Sequence, residues 1–219
     1  MSVATLIIGE SGTGKTASLR NLDPADTLLI QPVRKPLPFR SPSWAYFDRE
    51  RARNGNVFVT DRSHEIIGLM QRTSRSVIVL DDFQYVLANE YMRRSEEKGY
   101  EKFSDIGRHA WDILTAANNM APHVRVYLIG HTQSDDFGRL KVKTIGKLLD
   151  EKIVVEGMFS IVLRTVVQNG QYWFSTRNNG ADTVKTPMGL FDDDLIDNDL
   201  ADVDRRIADY YDLAMEQAA

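Results

Sequence analysis

The chain has no cysteine, which removes disulfides, thiolate nucleophiles and cysteine-ligated zinc or iron–sulfur centres. Its four histidines, His64, His109, His123 and His131, show no metal-ligand spacing, so any metal is expected to be a hard cation held by oxygen. No apolar run approaches the ~18 to 20 residues needed to cross a bilayer. The opening stretch, Met1 to Ile8, is too short and uncharged for a secretory signal, and neither membrane insertion nor secretion is expected. With 219 residues, 42% of them hydrophobic and 26% charged, the composition is that of a folded globular domain rather than a disordered chain.

Charge is unevenly spread. Residues 190–219 hold ten acidic residues against only Arg205 and Arg206, whereas residues 34–75 carry nine Arg or Lys against four Asp or Glu. That pattern reads either as solvated surface or as a basic ligand-facing segment beside an acidic tail. Proline is concentrated too. Four of the seven prolines, Pro32, Pro36, Pro38 and Pro42, fall between Gln31 and Trp44 beside Arg34, Lys35 and Arg40, which predicts a stiff, extended, basic loop.

Apolar runs at Val3–Ile8, Thr27–Ile30, Val57–Thr60, Val77–Leu80 and Val124–Ile129 alternate with segments of helical character. This predicts an α/β fold: a mainly parallel sheet with helices on both faces. The clearest helix is Ser104–Met120, with Ser104 or Asp105 as cap. Beyond Gly130 the pattern becomes β-rich, with strands expected at Leu140–Lys143, Ile153–Val155, Ser160–Val167 and Gln171–Thr176 and a hairpin turn at Asn169-Gly170. Asp192–Asp199 reads as an acidic loop. Leu200, Val203, Ile207, Tyr210 and Ala214 then mark an amphipathic closing helix. Residues 1–189 are expected to form the main domain, with 190–219 packed on it.

Gly9-Glu10-Ser11-Gly12-Thr13-Gly14-Lys15-Thr16 matches the phosphate loop G-x-x-x-x-G-K-[ST], directly after a strand and before an expected helix from Lys15 to Asn21. Glycines let backbone N–H groups turn inward around phosphates, Lys15 reaches the β- and γ-phosphates, and the Thr16 hydroxyl can ligate Mg²⁺. Val77–Leu80 delivers Asp81 and Asp82 to the C-terminal edge of a buried strand, where α/β sheets place ligands. Asp81 is placed to hold Mg²⁺ and Asp82 to orient or deprotonate water, the bland reading being a helix cap. The Val124–Ile129 strand leads into a polar tip, where Gln133 or His131 is a candidate γ-phosphate contact. Lys141 and Lys143 share a strand face, suited either to a phosphate across a subunit boundary or to protecting an edge strand. Arg93 and Arg94 compete as arginine fingers or are surface charge. Arg34, Lys35 and Arg40, followed by Trp44, Tyr46 and Phe47, are candidate single-stranded DNA contacts, cations tracking phosphates and rings stacking on bases.

These features resemble the ATPase core of the RecA-like recombinases. More closely, Lys35-Pro36-Leu37-Pro38-Phe39, Asp81-Asp82-Phe83-Gln84-Tyr85, Lys143-Thr144-Ile145-Gly146-Lys147-Leu148-Leu149 and Asn198-Asp199-Leu200 are similar to small phage-encoded P-loop ATP-binding proteins associated with single-strand annealing. The resemblance implies a Mg²⁺-dependent ATPase in the cytoplasm of a bacterial host, acting as a homo-oligomer with single-stranded DNA and other recombination or replication proteins. Adenine is favoured over guanine because no [NT]-K-x-D element occurs. One departure stands out: the strand after the phosphate-loop helix ends Ile30-Gln31-Pro32, where RecA-like enzymes usually carry a catalytic glutamate. A nucleotide-switched interaction protein without turnover and a P-loop small-molecule kinase are the alternatives.

Overall fold

The first apolar run forms β1 (Val3–Gly9), buried from Ala4 onward, and its parallel neighbours β5 (Arg125–Ser134) and β7 (Ile161–Gln168) flank it on either side. In the computed structural model, which describes residues 2–213, the described strands make one nine-stranded sheet. Its order is β3 (Val57–Val59), β2 (Thr27–Gln31), β4 (Val77–Leu80), β5, β1, β7, β8 (Gln171–Ser175) and β9 (Leu195–Asp197), with β6 (Leu140–Val142) paired to the far end of β5. The five strands from β3 to β1, together with β7, are parallel. The phosphate-loop strand β1 and the Asp81-bearing strand β4 are therefore separated by β5, the arrangement of a RecA-like P-loop α/β fold.

Strand alternation sorts the core into two layers. Leu6, Ile8, Ile78, Leu80, Val126 and Leu128 face α1 (Ser63–Arg72), α2 (Gln84–Arg93) and α3 (Glu101–Asn118). Ile7, Val79, Tyr127, Ile129 and Leu163 face the opposite way, against Leu19, Leu22 and α4 (Leu200–Tyr210). Ile106, Ala110, Ile113, Leu114 and Ala117 supply the buried stripe of α3, as the sequence spacing predicts. The helix starts earlier than expected, after Tyr100, so neither Ser104 nor Asp105 caps it. In α4, Leu200, Val203 and Ile207 are buried, and Asp199 caps the first turn by accepting from the Ala201 amide at 3.0 Å. Ala214 lies outside the described residues.

Three expectations give way. Ile153–Val155 is no strand: a π turn at Leu148–Lys152 runs into a 3₁₀ turn at Val155–Met158. The buried Glu156 carboxylate accepts from the Val142 amide (2.7 Å) and the Thr183 hydroxyl (3.2 Å), which holds the chain in that turn against the β propensity of its valines. The acidic segment contains β9, which pairs antiparallel with β8. The phosphate loop leads into a 3₁₀ segment, Thr16–Asn21, rather than an α-helix. Asp23-Pro24 stops it, because a residue preceding proline is pushed out of the helical region, and Leu22 already leaves at ψ 144°. A segment this short contributes little macrodipole.

The closing helix is pinned from below. Arg125 grips Asp204 with two hydrogen bonds, Nε at 2.9 Å and Nη2 at 2.8 Å, and the Tyr127 hydroxyl donates to the same carboxylate at 2.5 Å. All three residues are buried, and burial together with Asp204 drives the Tyr127 hydroxyl well above its ordinary pKa. Removing one member leaves a buried charge unmatched. Asp204→Ala should therefore lower unfolding free energy in urea by ~3–5 kcal/mol; a loss under ~1 kcal/mol would show that α4 does not depend on this pair.

Candidate nucleotide site

At the C-terminal edge of the sheet a cavity of about 660 Å³ is lined by loop residues Ser11, Gly12, Gly14, Lys15 and Thr16, and across from them by Lys35, Asp82 and His131. Gly12 and Gly14 both adopt positive φ, 79° and 92°, as an inward-turning loop requires. The rest of the loop is braced from behind. Thr13 donates to the Glu10 carbonyl at 2.7 Å and lies 2.6 Å from the Thr165 hydroxyl, while a Cβ at Gly9 would fall 1.9 Å from Thr165 Oγ1. Gly9, Glu10 and Thr13 thus shape the loop without lining the cavity.

Lys15 is buried, and its ammonium donates to the carbonyls of Gly9 (2.9 Å) and Glu10 (2.6 Å). Burial lowers its pKa despite the opposing pull of Asp82 and Asp81. Thr16 Oγ1 lies 3.1 Å from both Asp81 oxygens. Asp81 is fully buried, and burial followed by the charge of Asp82 pushes its carboxyl above the ordinary range. This oxygen-only pairing of a hydroxyl and a carboxylate beside a phosphate loop suits a hard divalent cation that also keeps water and phosphate ligands. Among the described residues no cluster of three or more His, Cys, Asp or Glu forms a protein cage for metal.

Asp82 takes a conformation the sequence does not announce. Its neighbours stay tied to the sheet, the Asp81 amide to the Ile30 carbonyl (2.9 Å) and the Phe83 amide to the Ile129 carbonyl (2.8 Å), and Asp82 itself sits at φ 62°. The left-handed residue breaks strand alternation and brings both carboxylates toward one ammonium: Lys35 Nζ hydrogen-bonds Asp82 and lies 3.5 Å from Asp81. His131 Nε2 stands 3.3 Å from Asp82 on its other side. Burial alone would raise the Asp82 pKa, but the His131 hydrogen bond and Lys35 override it and hold the carboxyl down at about 2. For Lys35 burial likewise loses to Asp81 and Asp82, and its pKa is raised.

Lys35, a candidate DNA contact in the sequence, is carried in by the proline-stiffened strap and pairs here with the two carboxylates. Arg34 and Arg40 remain exposed on that strap. The rings meant to stack on bases are already engaged. Trp44 and Tyr46 pack on the core, Arg34 covers the Tyr46 ring at 4.6 Å, and Phe47 stacks on Phe58 at 4.6 Å.

Gln133 is corrected. The strand β5 runs on past the sheet edge to pair with β6, and there Gln133 donates to Asp150 at 2.6 Å, away from the cavity that His131 lines. Asp150 gathers Thr144 (2.8 Å) and the Lys141 ammonium (3.5 Å) as well, whereas Lys143 is exposed and has no ion pair among the described residues. Arg93 pairs with Asp61, and Arg94 with Glu90, Glu97 and Asp105. Gln31 is buried and does not line the cavity, so it does not replace the missing glutamate. Sequence reasoning missed Tyr172, which lines the cavity from the β7–β8 hairpin.

Loss of the Lys15 ammonium should abolish nucleotide binding without unfolding the chain. Lys15→Ala is expected to show native circular dichroism and no calorimetric response to Mg²⁺-ATP; parent-like affinity in the folded variant would remove Lys15 from the site.

No protein-family model matches the chain, and no curated protein is significantly similar to it. Among solved structures it is similar to the genome-packaging NTPase B204 from Sulfolobus turreted icosahedral virus 2 in complex with ATP-gammaS. That likeness has 11% identity, 77% coverage of this chain and 76% of that one, and a TM-score of 0.39. A likeness of this size assigns no function.

Proposed function

We propose that the chain is a Mg²⁺-dependent, ATP-binding RecA-like protein that hydrolyses ATP slowly, with Asp82 as the base. The observation that carries this is the meeting, at one cavity, of the phosphate loop, the Thr16–Asp81 oxygen pair and a second carboxylate on a kinked residue. The loop amides and Lys15 bind and orient the triphosphate. Thr16 and Asp81 would hold Mg²⁺, which when bound neutralises charge on the phosphate oxygens. Asp82 accepts the proton of water, and His131, 3.3 Å away, fixes the carboxylate's orientation.

Slow turnover follows from the ion pairs. A carboxylate already paired with the Lys35 ammonium and hydrogen-bonded by His131 is a weakened base, because those partners favour its charged form over taking a proton. Those same pairs support the nucleotide-switched reading. Lys35 sits on the strap that also carries exposed Arg34 and Arg40, so any anion drawing Lys35 from the acid pair displaces a basic surface segment. Contact with single-stranded DNA, oligomerisation, and a role in phage recombination or replication belong to this proposal; they are motivated by the sequence resemblance and the strap's charge. Lys141, paired with Asp150, and the exposed Lys143 are the candidates for a phosphate contact across a subunit boundary.

Substitutions separate the two acids and the strap. Asp81→Asn should raise the Mg²⁺ concentration needed for nucleotide binding, whereas Asp82→Asn should keep binding and lose turnover by ~10² or more. Hydrolysis at the parent rate in Asp82→Asn would place the base elsewhere. Lys35→Ala removes the cation competing for the acid pair, so half-saturation by Mg²⁺ should move to lower concentration; a shift the other way would make Lys35 a phosphate ligand rather than a latch. Arg34→Ala with Arg40→Ala should weaken single-stranded DNA binding and flatten its salt dependence by ~0.7 per contact in log K against log salt. An unchanged slope would exclude these arginines.

A further inference from the structure

A second cavity, of about 520 Å³, opens beside the phosphate loop and shares Ala17 and Tyr172 with the first. Its other walls include Arg20 from the 3₁₀ segment, Trp173 from β8, and Asp197 and Asn198 from the end of β9. The wall comes very close to the loop. A Cβ at Gly14 would lie 2.9 Å from Tyr172 Cδ1 and 3.0 Å from Asn198 Oδ1. The Asn198 carbonyl accepts from Arg20 Nη1, which fixes the wall to the segment that follows the loop.

Two features there are unexplained by folding. Tyr172 leaves 49% of its surface exposed on a half-open cavity and has no ring partner among the described residues. Asn198 is only 4% exposed, yet its Nδ2 has no hydrogen-bond partner among the described residues. A buried donor without a partner costs ~1–3 kcal/mol; Nδ2 has almost no exposed surface, so a ligand acceptor relieves that cost once the Asn198 carboxamide turns toward the cavity.

Building on the ATP-binding reading, we infer that this second cavity is the nucleobase pocket, with Tyr172 as the stacking face and Asn198 as the residue that reads adenine. A triphosphate seated in the loop leads its nucleoside past Ala17 and Tyr172, the two residues both cavities share. Tyrosine offers a flat π face to any base. The carboxamide adds selectivity: Asn can donate from Nδ2 to adenine N7 while Oδ1 accepts from the exocyclic N6 amine, a pairing that guanine, with an acceptor at O6, does not match. The cavity sets base preference, whereas the loop sets phosphate affinity.

The test compares Mg²⁺-ATP, Mg²⁺-GTP and Mg²⁺-tripolyphosphate, the last lacking a base, by calorimetry on the full chain. The parent should bind ATP more tightly than GTP and more tightly than tripolyphosphate. Tyr172→Ala, on an exposed ring, should weaken ATP roughly ten-fold, the size of one lost stack, and leave tripolyphosphate within about two-fold. Asn198→Leu should erase the preference for ATP over GTP. Equal affinity of the parent for ATP and tripolyphosphate, or ATP affinity unchanged in Tyr172→Ala, would overturn the base pocket while leaving the phosphate site standing. Equal losses for ATP and tripolyphosphate in Tyr172→Ala would also overturn it, because the ring would then be shaping the loop. A parent that binds neither ligand overturns the nucleotide reading itself and the pocket with it.

Discussion

Two carboxylates at the end of one buried strand set the terms for everything around them. Unit charges ~4 Å apart repel by ~4 kcal/mol at an effective dielectric near ~20, and Asp81 and Asp82 have little water to relieve that. The molecule answers by surrounding the pair with donors and cations: Thr16 on Asp81, Lys35 between the two, and His131 on Asp82. Each comes from a different segment. The acid pair therefore holds together the segment that follows the phosphate loop, the proline-rich strap and the end of β5.

The strap is the part of this arrangement that the sequence hides best. Pro32, Pro36 and Pro38 announce an extended segment, and its cations suggest a polyanion. Nothing local tells which anion is met, because Lys35 and Asp82 stand 47 residues apart along the chain. Once the strap folds over the sheet edge, its apolar members Leu37, Phe39, Trp44 and Tyr46 find core to cover, and the lysine beside them is drawn to the acid pair.

What was legible followed from contiguity. The phosphate loop is eight consecutive residues whose chemistry needs no distant partner, and β1, β2 and β4 are continuous apolar runs because parallel strands are buried on both faces. What was illegible depended on contacts between remote segments. Gln133 looked like a tip because the apolar run stops at Ile129, yet pairing with β6 carries the strand to Ser134 and turns that side chain to Asp150. The left-handed turn at Asp82 arises from hydrogen bonds to Ile30 and Ile129 on two other strands. Glu156 ends a would-be strand through an amide at Val142.

The far end of the chain completes the site by the same logic. Asp204, held by Arg125 and Tyr127 beneath the sheet, fixes α4 where Asp199 can cap it and where Asn21 reaches the Asp199 carboxylate at 2.7 Å. That placement brings Asn198 against Gly14, so the wall beside the phosphate loop is anchored by a buried ion pair on another strand. A ligand touching both the loop and that wall spans the first and last elements of the described fold. Its binding energy then adds to the stability of the whole sheet rather than of one loop, by RT ln(1 + [L]/Kd). The acidic closing segment in this way supplies, through Asn198, part of the wall beside the phosphate loop.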